Sequence, residues 1–558
     1  MPEETIIGKT SATEREANTS EKFFFWLAPE IIANPFDIVE VEHSKGKDNK
    51  PSHTYGLITN IEHRTDAASH LSNFISSNFG DISEEPSTPR QGASIAHVNV
   101  LSNDADIYMP LDNERAVHFA TKEGIEKALG IDVLMRERPT DAIPAGLIKL
   151  SSGAVAVACI DRRYVVGPES AHINITGISG LATKTSYAMF LLQSILQKAD
   201  APDKIAVIIL NVKHGDLLQI DEAGPDLPPE QKELWEAMEL EPKNFDNVHY
   251  FLPRGHRRGI PNSYITDKPS SIYAYDLPHT ADKLDFLFAQ IPDTYATLES
   301  IIGEVKEGIR NKEPGFQNVN SFDNLLNGPP LFDSATKSAV NMWRNIRGSS
   351  IGVFRRHLRR MIYTRNTGVL VPGSLSTHEK VLSEEMKKIK GGHIYVVDIA
   401  KLQDEEQSLV FGDLLRTVYE IKAEGAEDED GNPIEAPEKV IFFVDELNKY
   451  APTGKTKSSI TGQVIDIASR GRSLGVILLS AQQFMSQVHE QVTGNCATKV
   501  IGRTGSSEIS ARDYRFLDDE LKMSVTRLSK GELLLSHAVY RQPVKIIFPL
   551  PAYKQPET

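Results

Sequence analysis

Apolar residues follow two different patterns along the chain, and the change falls near residue 166. Before it, short runs such as TYGLITNIEH, ASIAHVNVLS and GAVAVACIDRRYVVG alternate with Pro, Gly, Asn and Asp, which is typical of half-buried strands joined by turns. Such strands pack as a small barrel or sandwich. We therefore predict an N-terminal β-barrel over 21–165, with one helix at DAASHLSNFISSNF and a loose polar tail at 1–20.

From residue 166 the apolar residues form continuous runs instead. Examples are KIAVIILNV, HIYVVDI, KVIFFVDEL and GVILLSAQ, and such runs suit strands that are covered on both faces of a parallel sheet. HINITG also runs through GISGLATKTS into the apolar YAMFLLQSILQKA, which is strand, loop, helix order. The pattern predicts an α/β core over 166–255 and 389–535, a mostly parallel sheet with helices on both faces.

Three further segments differ from this core. Residues 256–388 contain charge-rich, helix-like stretches such as DKLDFLFAQI, and we expect a helical insertion there. The segment 422–439 is acidic and rich in turn residues, which indicates an exposed loop. Residues 536–558 hold SHAVYRQPVKIIFPLP, for which we expect a closing strand and a tail.

Composition narrows the class of protein. The chain has 558 residues, enough for two or three domains, and no apolar run approaches the roughly 20 residues that span a bilayer. Its start lacks a signal-peptide pattern, and its two cysteines have no CxxC spacing, which argues against disulfides and structural zinc. We expect a cytoplasmic protein without membrane contact. The net charge of −15 speaks against a nucleic-acid-binding protein, although a ring that threads DNA needs positive charge only along its channel.

The string GISGLATKTS, at 177–186, is a candidate phosphate loop between a strand and a helix. Glycines let backbone N–H groups surround phosphate oxygens, Lys reaches the outer phosphates, and a hydroxyl holds Mg²⁺. Lys184 and Thr185 supply the last two groups. The usual form has Gly directly before the Lys, whereas Thr183 stands here and Gly177 lies seven residues ahead of Lys184. A turn that binds nothing is the alternative. The nucleotide-contacting candidates are Gly177, Gly180, Thr183, Lys184, Thr185 and Ser186.

Two carboxylates follow the apolar strand VIFFV. Asp445 at a strand end is placed to hold Mg²⁺, with Thr185 as its partner ligand, and Glu446 to orient and polarise the attacking water. The alternative is that Asp445 caps the next helix and Glu446 lies in its first turn.

Polar residues follow a third strand, and arginines lie on both sides of it. SAQQF places Gln482 and Gln483 where a sensor of the γ-phosphate would stand, although a polar strand end facing solvent is equally compatible. Arg470, Arg472 and Arg503 are candidates for the arginine that stabilises the transferring phosphate, often from a neighbouring subunit. Each is equally compatible with an ordinary surface or interface role.

Two basic clusters complete the set of candidate features, RGHRRG at 254–259 and FRRHLRRMIYTR at 354–365. In a helix, the arginines of the second cluster cover one broad face and have two aromatic neighbours: Arg355, Arg356, Arg359 and Arg360, with Phe354 and Tyr363. Such a face would neutralise DNA phosphates without reading sequence. A solvated face or an intersubunit contact is the alternative.

The motif order resembles a known family. GISGLATKTS, IYVVDIAKLQDEEQ, FFVDELNKYAP, DIASRGRSLGVILLSAQQ, NCATKVIGR and YRQPVKIIFPLP together resemble the HerA and FtsK-like branch of RecA-type ATPases, and within it HerA, over about residues 166–550. The resemblance implies a RecA-like core, with Lys184, Thr185, Asp445, Glu446 and Gln483 in the Walker and sensor roles. It implies that Arg470, Arg472 or Arg503 is the arginine finger.

The same resemblance implies an assembly. HerA-like proteins form a homo-oligomeric ring, here expected to be a hexamer, with ATP sites between subunits, DNA in the central channel and an effector docked on the barrel face. The effector is a nuclease or a sirtuin-like NADase, and the altered loop and acidic insert favour the anti-phage defence branch. ATP and Mg²⁺ are the expected cofactors.

Three functions remain open from the sequence. The first is an ATP hydrolase that translocates DNA together with an effector. The second is a ring scaffold that binds nucleotide and activates a partner with little or no hydrolysis. The third, a motor acting on protein or in secretion, is disfavoured because no membrane segment is evident.

Overall fold

The computed structural model describes residues 5–43, 45–46, 50–83, 91–178, 183–198, 204–293, 296–425, 427, 433–454 and 458–555, and the backbone alone of Thr183. The chain divides into two compact units. The first contains Met1–Arg162, Glu233–Leu240 and Thr498–Pro549, and the second contains Arg163–Lys232, Glu241–Ala497 and Leu550–Thr558.

The described residues form 23 strands. In chain order these are β1 (Ile6–Thr10), β2 (Lys22–Leu27), β3 (Ile38–His43), β4 (Ser52–Thr65), β5 (Gly92–Asn103), β6 (Ala116–Phe119), β7 (Ala142–Lys149), β8 (Val155–Asp161), β9 (Ala171–Thr176), β10 (Ile205–Asn211), β11 (Val248–Pro253), β12 (Ser271–Tyr273), β13 (Phe332–Asp333), β14 (Ser338–Ala339), β15 (Met342–Trp343), β16 (Ile346–Arg347), β17 (Glu379–Lys380), β18 (Ile394–Asp398), β19 (Lys439–Asp445), β20 (Val476–Gln482), β21 (Cys496–Ile501), β22 (Glu532–His537) and β23 (Val544–Ile547).

The same part of the chain forms 16 α-helices. They are α1 (His70–Ser76), α2 (Lys122–Ala128), α3 (Ile131–Glu137), α4 (Thr183–Lys198), α5 (Pro229–Ala237), α6 (Leu277–Thr280), α7 (Leu284–Leu287), α8 (Thr297–Arg310), α9 (Phe322–Asn327), α10 (Gly348–Arg359), α11 (Leu382–Met386), α12 (Asp404–Glu424), α13 (Ser459–Leu474), α14 (Glu490–Gly494), α15 (Ser506–Ile509) and α16 (Asp519–Val525). Among these helices none is long and apolar enough to cross a bilayer.

The first unit contains a closed barrel in the order β1-β2-β5-β4-β3-β6. Alternate residues point inward along its strands: in β2, Phe23 and Phe25 are fully buried between more exposed neighbours, as the two-residue repeat of a strand requires. The same unit contains antiparallel strands in the order β21-β22-β23-β7-β8. The predicted N-terminal barrel is therefore confirmed, but its bounds of 21–165 were wrong: the closed barrel ends at Phe119, and GAVAVACIDRRYVVG, expected within it, forms β8 beside β7.

The second unit is built on parallel strands in the order β17-β12-β11-β18-β10-β19-β20-β9. Its central strands are buried along their whole length, all seven residues of β10 among them, which explains why their sequences lack alternation. Helix α12 begins with a capping box between Gln403 and Glu406, and most of its residues are buried. The mostly parallel α/β sheet with connecting helices was predicted correctly.

Several segments differ from their sequence expectation. Residues 6–10, expected within a loose tail, form β1, because Ile7 is buried in the barrel core. The stretch 256–388, expected as a helical insertion, is helix-rich but also supplies β12 and β17 to the parallel sheet. The expected closing strand is β23, which pairs antiparallel with β22, whereas residues 498–535, expected in the α/β core, belong to the first unit. Helix α12 continues through Glu424, into the acidic segment expected as a loop from residue 422.

Candidate nucleotide-binding site

Three neighbouring parallel strands bring the predicted motifs to one edge of the sheet. Strand β20 lies between β19 and β9, with Asp445 opposite Ala481 and Gln482 opposite Thr176. Asp445, Gln482 and Thr176 are the last residues of their strands. Because parallel strands end at the same edge, and ligands of open α/β sheets bind at that edge, these groups form a candidate site.

The phosphate-loop candidate starts directly after β9. Gly177 has φ of 153°, a conformation that residues with a side chain rarely adopt. Lys184, in the first turn of α4, is buried, and its Nζ donates to the Gly177 carbonyl at 2.8 Å. Thr185 is half-buried and Ser186 is buried. Gly180 and the side chain of Thr183 lie outside the described residues.

The pKa of Lys184 is set by the burial of its side chain and by the charged residues around it. Desolvation lowers the pKa of Lys184, Asp445 and Glu446 oppose that shift, and Lys213 adds to it. The ammonium group thus lies within electrostatic reach of both predicted Walker B carboxylates. A Lys that is held on its own loop carbonyl can exchange that oxygen for a phosphate oxygen of a ligand.

The carboxylate pair does not act as a helix cap. Asp445 is buried, and its Oδ1 accepts from the Glu446 backbone N–H at 3.0 Å. Glu446 has φ of 57°, in the left-handed region, and within the described residues the short turn Leu447–Lys449 that follows has no side-chain cap. Non-glycine residues in this conformation concentrate at functional sites. The geometry thus removes the capping alternative for Asp445 and Glu446.

Lys213 is a site residue that sequence reasoning missed. It follows β10, the neighbour of β19, and its Nζ lies 2.9 Å from Asp445 Oδ2 and 3.0 Å from Glu446 Oε1. Burial works against charge on Lys213, but the two carboxylates outweigh it and raise its pKa. Lys213 is therefore the internal counter-charge of the pair. The string NVKHGD places a Lys just beyond a buried strand, which was the available signal.

Within the part of the chain that the structure describes, two polar groups at this edge have no hydrogen-bond partner. Gln482 is fully buried, and neither its Nε2 nor its Oε1 has a hydrogen-bond partner in the described structure; the Thr176 hydroxyl oxygen is in the same state. A buried unpaired polar group costs roughly 1–3 kcal/mol, so such groups indicate a ligand that supplies the missing bonds. Gln483, the predicted sensor, lies just beyond β20 and is half-buried.

The candidate arginine fingers are exposed. Arg470 and Arg472 lie in the last turns of α13, which leads through Gly475 into the start of β20. They therefore stand at the opposite sheet edge from Gln482, about 20 Å away along the strand. Arg472 donates to the Glu169 carbonyl at 2.5 Å. Arg503, beyond β21 in the first unit, is also exposed. Within one chain, neither Arg470 nor Arg472 reaches the site.

The donor set fits Mg²⁺ that is shared with phosphates. In the described part of the chain, no group of three or more His, Cys, Asp or Glu side chains could hold a metal alone. Magnesium is commonly held by one or two carboxylates together with substrate phosphates and water. Asp445 and the Thr185 hydroxyl would be its protein ligands. The unpaired Gln482 amide and the buried Lys184 fit a polyanion beside that metal.

Comparison with known proteins finds similarity in structure only. No family model and no curated protein matches the sequence. The unbound bacterial conjugative coupling protein TrwBdeltaN70 is 11% identical, with 79% of this chain and 94% of that chain covered and a TM-score of 0.47. The plasmid coupling protein TrwB in complex with ADP and Mg²⁺ is 12% identical, with coverages of 69% and 88% and a TM-score of 0.44.

A third structure is shorter. The genome packaging NTPase B204 from Sulfolobus turreted icosahedral virus 2, in complex with sulfate, is 17% identical, with coverages of 32% and 74% and a TM-score of 0.22. Similarity at these levels assigns no function to this chain. The function has to be inferred from the geometry of its own site.

Proposed function

We propose that the chain is an ATP hydrolase that binds a Mg²⁺-bound triphosphate at the carboxyl edge of β19, β20 and β9. One observation carries the proposal: a buried Lys184 lies within electrostatic reach of the Asp445 and Glu446 pair at that edge. Phosphoryl transfer needs little covalent chemistry from the protein and mainly requires positioning and charge stabilisation. These are the groups that supply both.

Each residue has one role in this proposal. Lys184 leaves the Gly177 carbonyl for the outer phosphates, and the Gln482 amide donates to a γ-phosphate oxygen, with Gln483 beside it. When bound, Mg²⁺ neutralises phosphate charge and polarises the transferring group. Glu446 orients the attacking water and accepts its proton. Lys213, now paired with Asp445, would release that carboxylate when Asp445 holds Mg²⁺.

The proposal extends to an assembly that moves DNA. Arg470, Arg472 and Arg503 are exposed, so a neighbouring copy in a ring, expected to be a hexamer, has an arginine available to complete this site. ATP turnover would drive DNA through the ring. A nuclease or sirtuin-like NADase docked on the barrel, in DNA processing or anti-phage defence, is the partner that the HerA resemblance implies.

One observation favours a second function. Lys213 holds both carboxylates by ion pairs near 3 Å, and a site that keeps this arrangement would bind nucleotide while turning it over slowly. The chain would then be a ring scaffold whose nucleotide-bound form activates the effector. Glu446→Gln protein that activates a partner as well as wild type does would favour this function.

The test of the proposed function compares two lysines. Lys184→Ala should abolish ATP hydrolysis and weaken ATP binding by about 100-fold or more, since a buried charged contact to phosphate is lost. The control, Lys204→Ala, removes an exposed Lys that pairs with Glu438 at 3.5 Å, at the opposite edge of the sheet, and should change neither. Equal binding and hydrolysis in Lys184→Ala and wild type would reject the nucleotide site.

A further inference from the structure

Two basic segments that are far apart in sequence meet on the surface of the second unit. Arg254, which opens RGHRRG, donates through Nη1 to the Gly368 carbonyl at 2.9 Å and pairs with Glu379 at 2.6 Å. Gly368 follows FRRHLRRMIYTR closely, and a Cβ on it would lie 2.3 Å from the Gly255 carbonyl carbon. The loop after Arg254 therefore lies against the end of the second basic segment.

Three arginines of these segments have internal roles. Arg254 pairs with Glu379, Arg355 donates to the Leu326 carbonyl and lies over the Phe332 ring, and Arg360 is 3.3 Å from Glu405. Phe354, expected beside the basic face, is buried and stacks on Phe288 at 5.2 Å. These side chains already have partners within the described structure.

The remaining arginines are exposed and uncompensated. Among the described residues, none of them has a carboxylate within 4 Å, and together they define the arginine surface: Arg257, Arg258, Arg356, Arg359 and Arg365. Tyr363, 45% exposed, lies under the Arg359 guanidinium at 5.6 Å from its ring centre. In a chain of net charge −15, an unneutralised cluster of this size calls for a partner of opposite charge.

At His357, in α10, the local electrostatic potential is also positive. Burial lowers the pKa of His357 first, and Arg360 and Arg356 lower it further, while Glu405 opposes them. Arg359 likewise contributes to lowering the pKa of Arg355, after burial. At His357, these two arginines therefore outweigh Glu405.

We propose that the arginine surface binds the phosphate backbone of a nucleic acid. Arginine guanidinium groups bind phosphates in two-point contacts, and exposed cations gain binding energy through counterion release without reading base sequence. The inference rests on the proposed function, for which it names the surface that contacts the track. Duplex and single-stranded DNA share this phosphate chemistry, and an acidic protein is the competing partner.

The experiment compares two double variants of the full-length chain. Binding of labelled duplex DNA and of labelled single-stranded DNA is measured by anisotropy between about 50 and 200 mM salt. Arg359→Gln/Arg365→Gln removes two charges from the arginine surface. The control, Arg512→Gln/Arg515→Gln, removes two exposed arginines of the first unit that have no ion pair among the described residues. The net charge of the two proteins is therefore equal.

The surface variant should weaken DNA binding roughly 10- to 30-fold, and the slope of log K against log salt should fall by about 2, one per lost contact. The control should stay within about twofold of wild type. Preference for duplex or for single strand in wild type identifies the track. ATP binding by both variants checks that they are folded.

Three results would overturn the inference and leave the ATP hydrolase in place. In the first, wild type binds DNA and the two variants weaken equally, so that only bulk charge matters. In the second, wild type binds polyglutamate and not DNA, and the surface variant loses that binding, which assigns an acidic protein. In the third, wild type hydrolyses ATP but binds neither DNA nor polyglutamate, which also rejects a nucleic-acid track. Absence of ATP hydrolysis in wild type would instead reject the proposed function itself.

Discussion

The nucleotide edge and the arginine surface lie in the same unit and use charge in opposite ways. At the edge, Lys184 is held by the Gly177 carbonyl, and Lys213 is held by Asp445 and Glu446. On the arginine surface, Arg359 and its neighbours are exposed and have no carboxylate partner among the described residues. At the nucleotide edge, a bound ligand would replace hydrogen-bond and ion-pair partners that the two lysines already have. The arginine surface needs a partner from outside, so its contribution depends on salt.

The largest expected effect separates the two regions by chemistry. Glu446→Gln should lower ATP hydrolysis by about 10²- to 10⁴-fold, because the group that accepts the proton of the attacking water is lost. ATP binding and DNA binding should remain within about twofold. The matched control is Glu438→Gln, at the other end of the strand and paired with Lys204, and it should keep full hydrolysis. ATP hydrolysis by Glu446→Gln at the wild-type rate would show that another group accepts the proton of the attacking water.

Lowering the pH should destabilise the parallel sheet but should leave the charge of the arginine surface unchanged. Burial lowers the pKa of His172, in β9, from 6.5 to about 4, so unfolding takes up a proton in that window. Its contribution to the free energy of unfolding is complete above pH 6.5 and is lost as pH falls toward 4, by up to about 3 kcal/mol. Arginines keep their charge throughout.

Urea unfolding of wild type and His172→Gln at several pH values tests this. The variant should show a shallower dependence of the unfolding free energy on pH, since the other buried histidines contribute equally to both proteins. DNA binding measured before the onset of unfolding should not weaken with acid. Identical pH slopes in the two proteins would show that His172 is not held neutral.

The buried Gln482 amide has no hydrogen-bond partner among the described residues. We therefore expect its replacement to raise stability and to lower activity. Gln482→Met should raise the free energy of unfolding by about 1–3 kcal/mol, because a buried polar group without partners is removed. It should also lower hydrolysis roughly tenfold or more, because a donor to the transferring phosphate is lost. Gln483→Met, in the half-buried neighbour, should change stability by less than about 0.5 kcal/mol. Loss of stability in Gln482→Met would show that the amide is already satisfied.

The smallest expected effect concerns Lys213, the internal counter-charge of Asp445 and Glu446. Lys213→Met should lower the Mg²⁺ concentration that half-saturates ATP binding by about tenfold, or 1.4 kcal/mol, since the metal no longer competes with an ammonium group for Asp445. Lys401→Met is the control, because the Lys401 Nζ donates to the Ser263 carbonyl at 2.6 Å and, among the described residues, forms no ion pair with Asp445 or Glu446. Equal Mg²⁺ dependence in all three proteins would remove Lys213 from the metal site.

Sequence patterns predicted the parallel part of the fold because buried strands have a local signature. Continuous apolar runs located β10, β19 and β20, and the polar residues that end them, Asp445 and Gln482, necessarily share an edge once the strands are parallel. The alternating runs located the barrel in the same way. These features require no knowledge of which distant segments meet.

Features that depend on distant contacts were not predictable. Which acid Lys213 reaches depends on the order β10-β19 in the sheet, and that order is absent from the local sequence. The meeting of the two basic segments depends on the contact of Gly368 with Gly255. Ile6–Thr10 was expected in a tail, because a short strand at a chain end has too few residues to show its alternation.

Electron–nuclear double resonance of Mn²⁺ in place of Mg²⁺, with ATP bound, tests the convergence at the nucleotide edge most directly. Wild type and Arg359→Gln/Arg365→Gln should both show bound Mn²⁺ coupled to phosphate phosphorus, whereas Asp445→Asn and Lys184→Ala should lose that signal at the same concentrations. An identical Mn²⁺–phosphate signal in all four proteins would show that Asp445 and Lys184 do not hold the nucleotide.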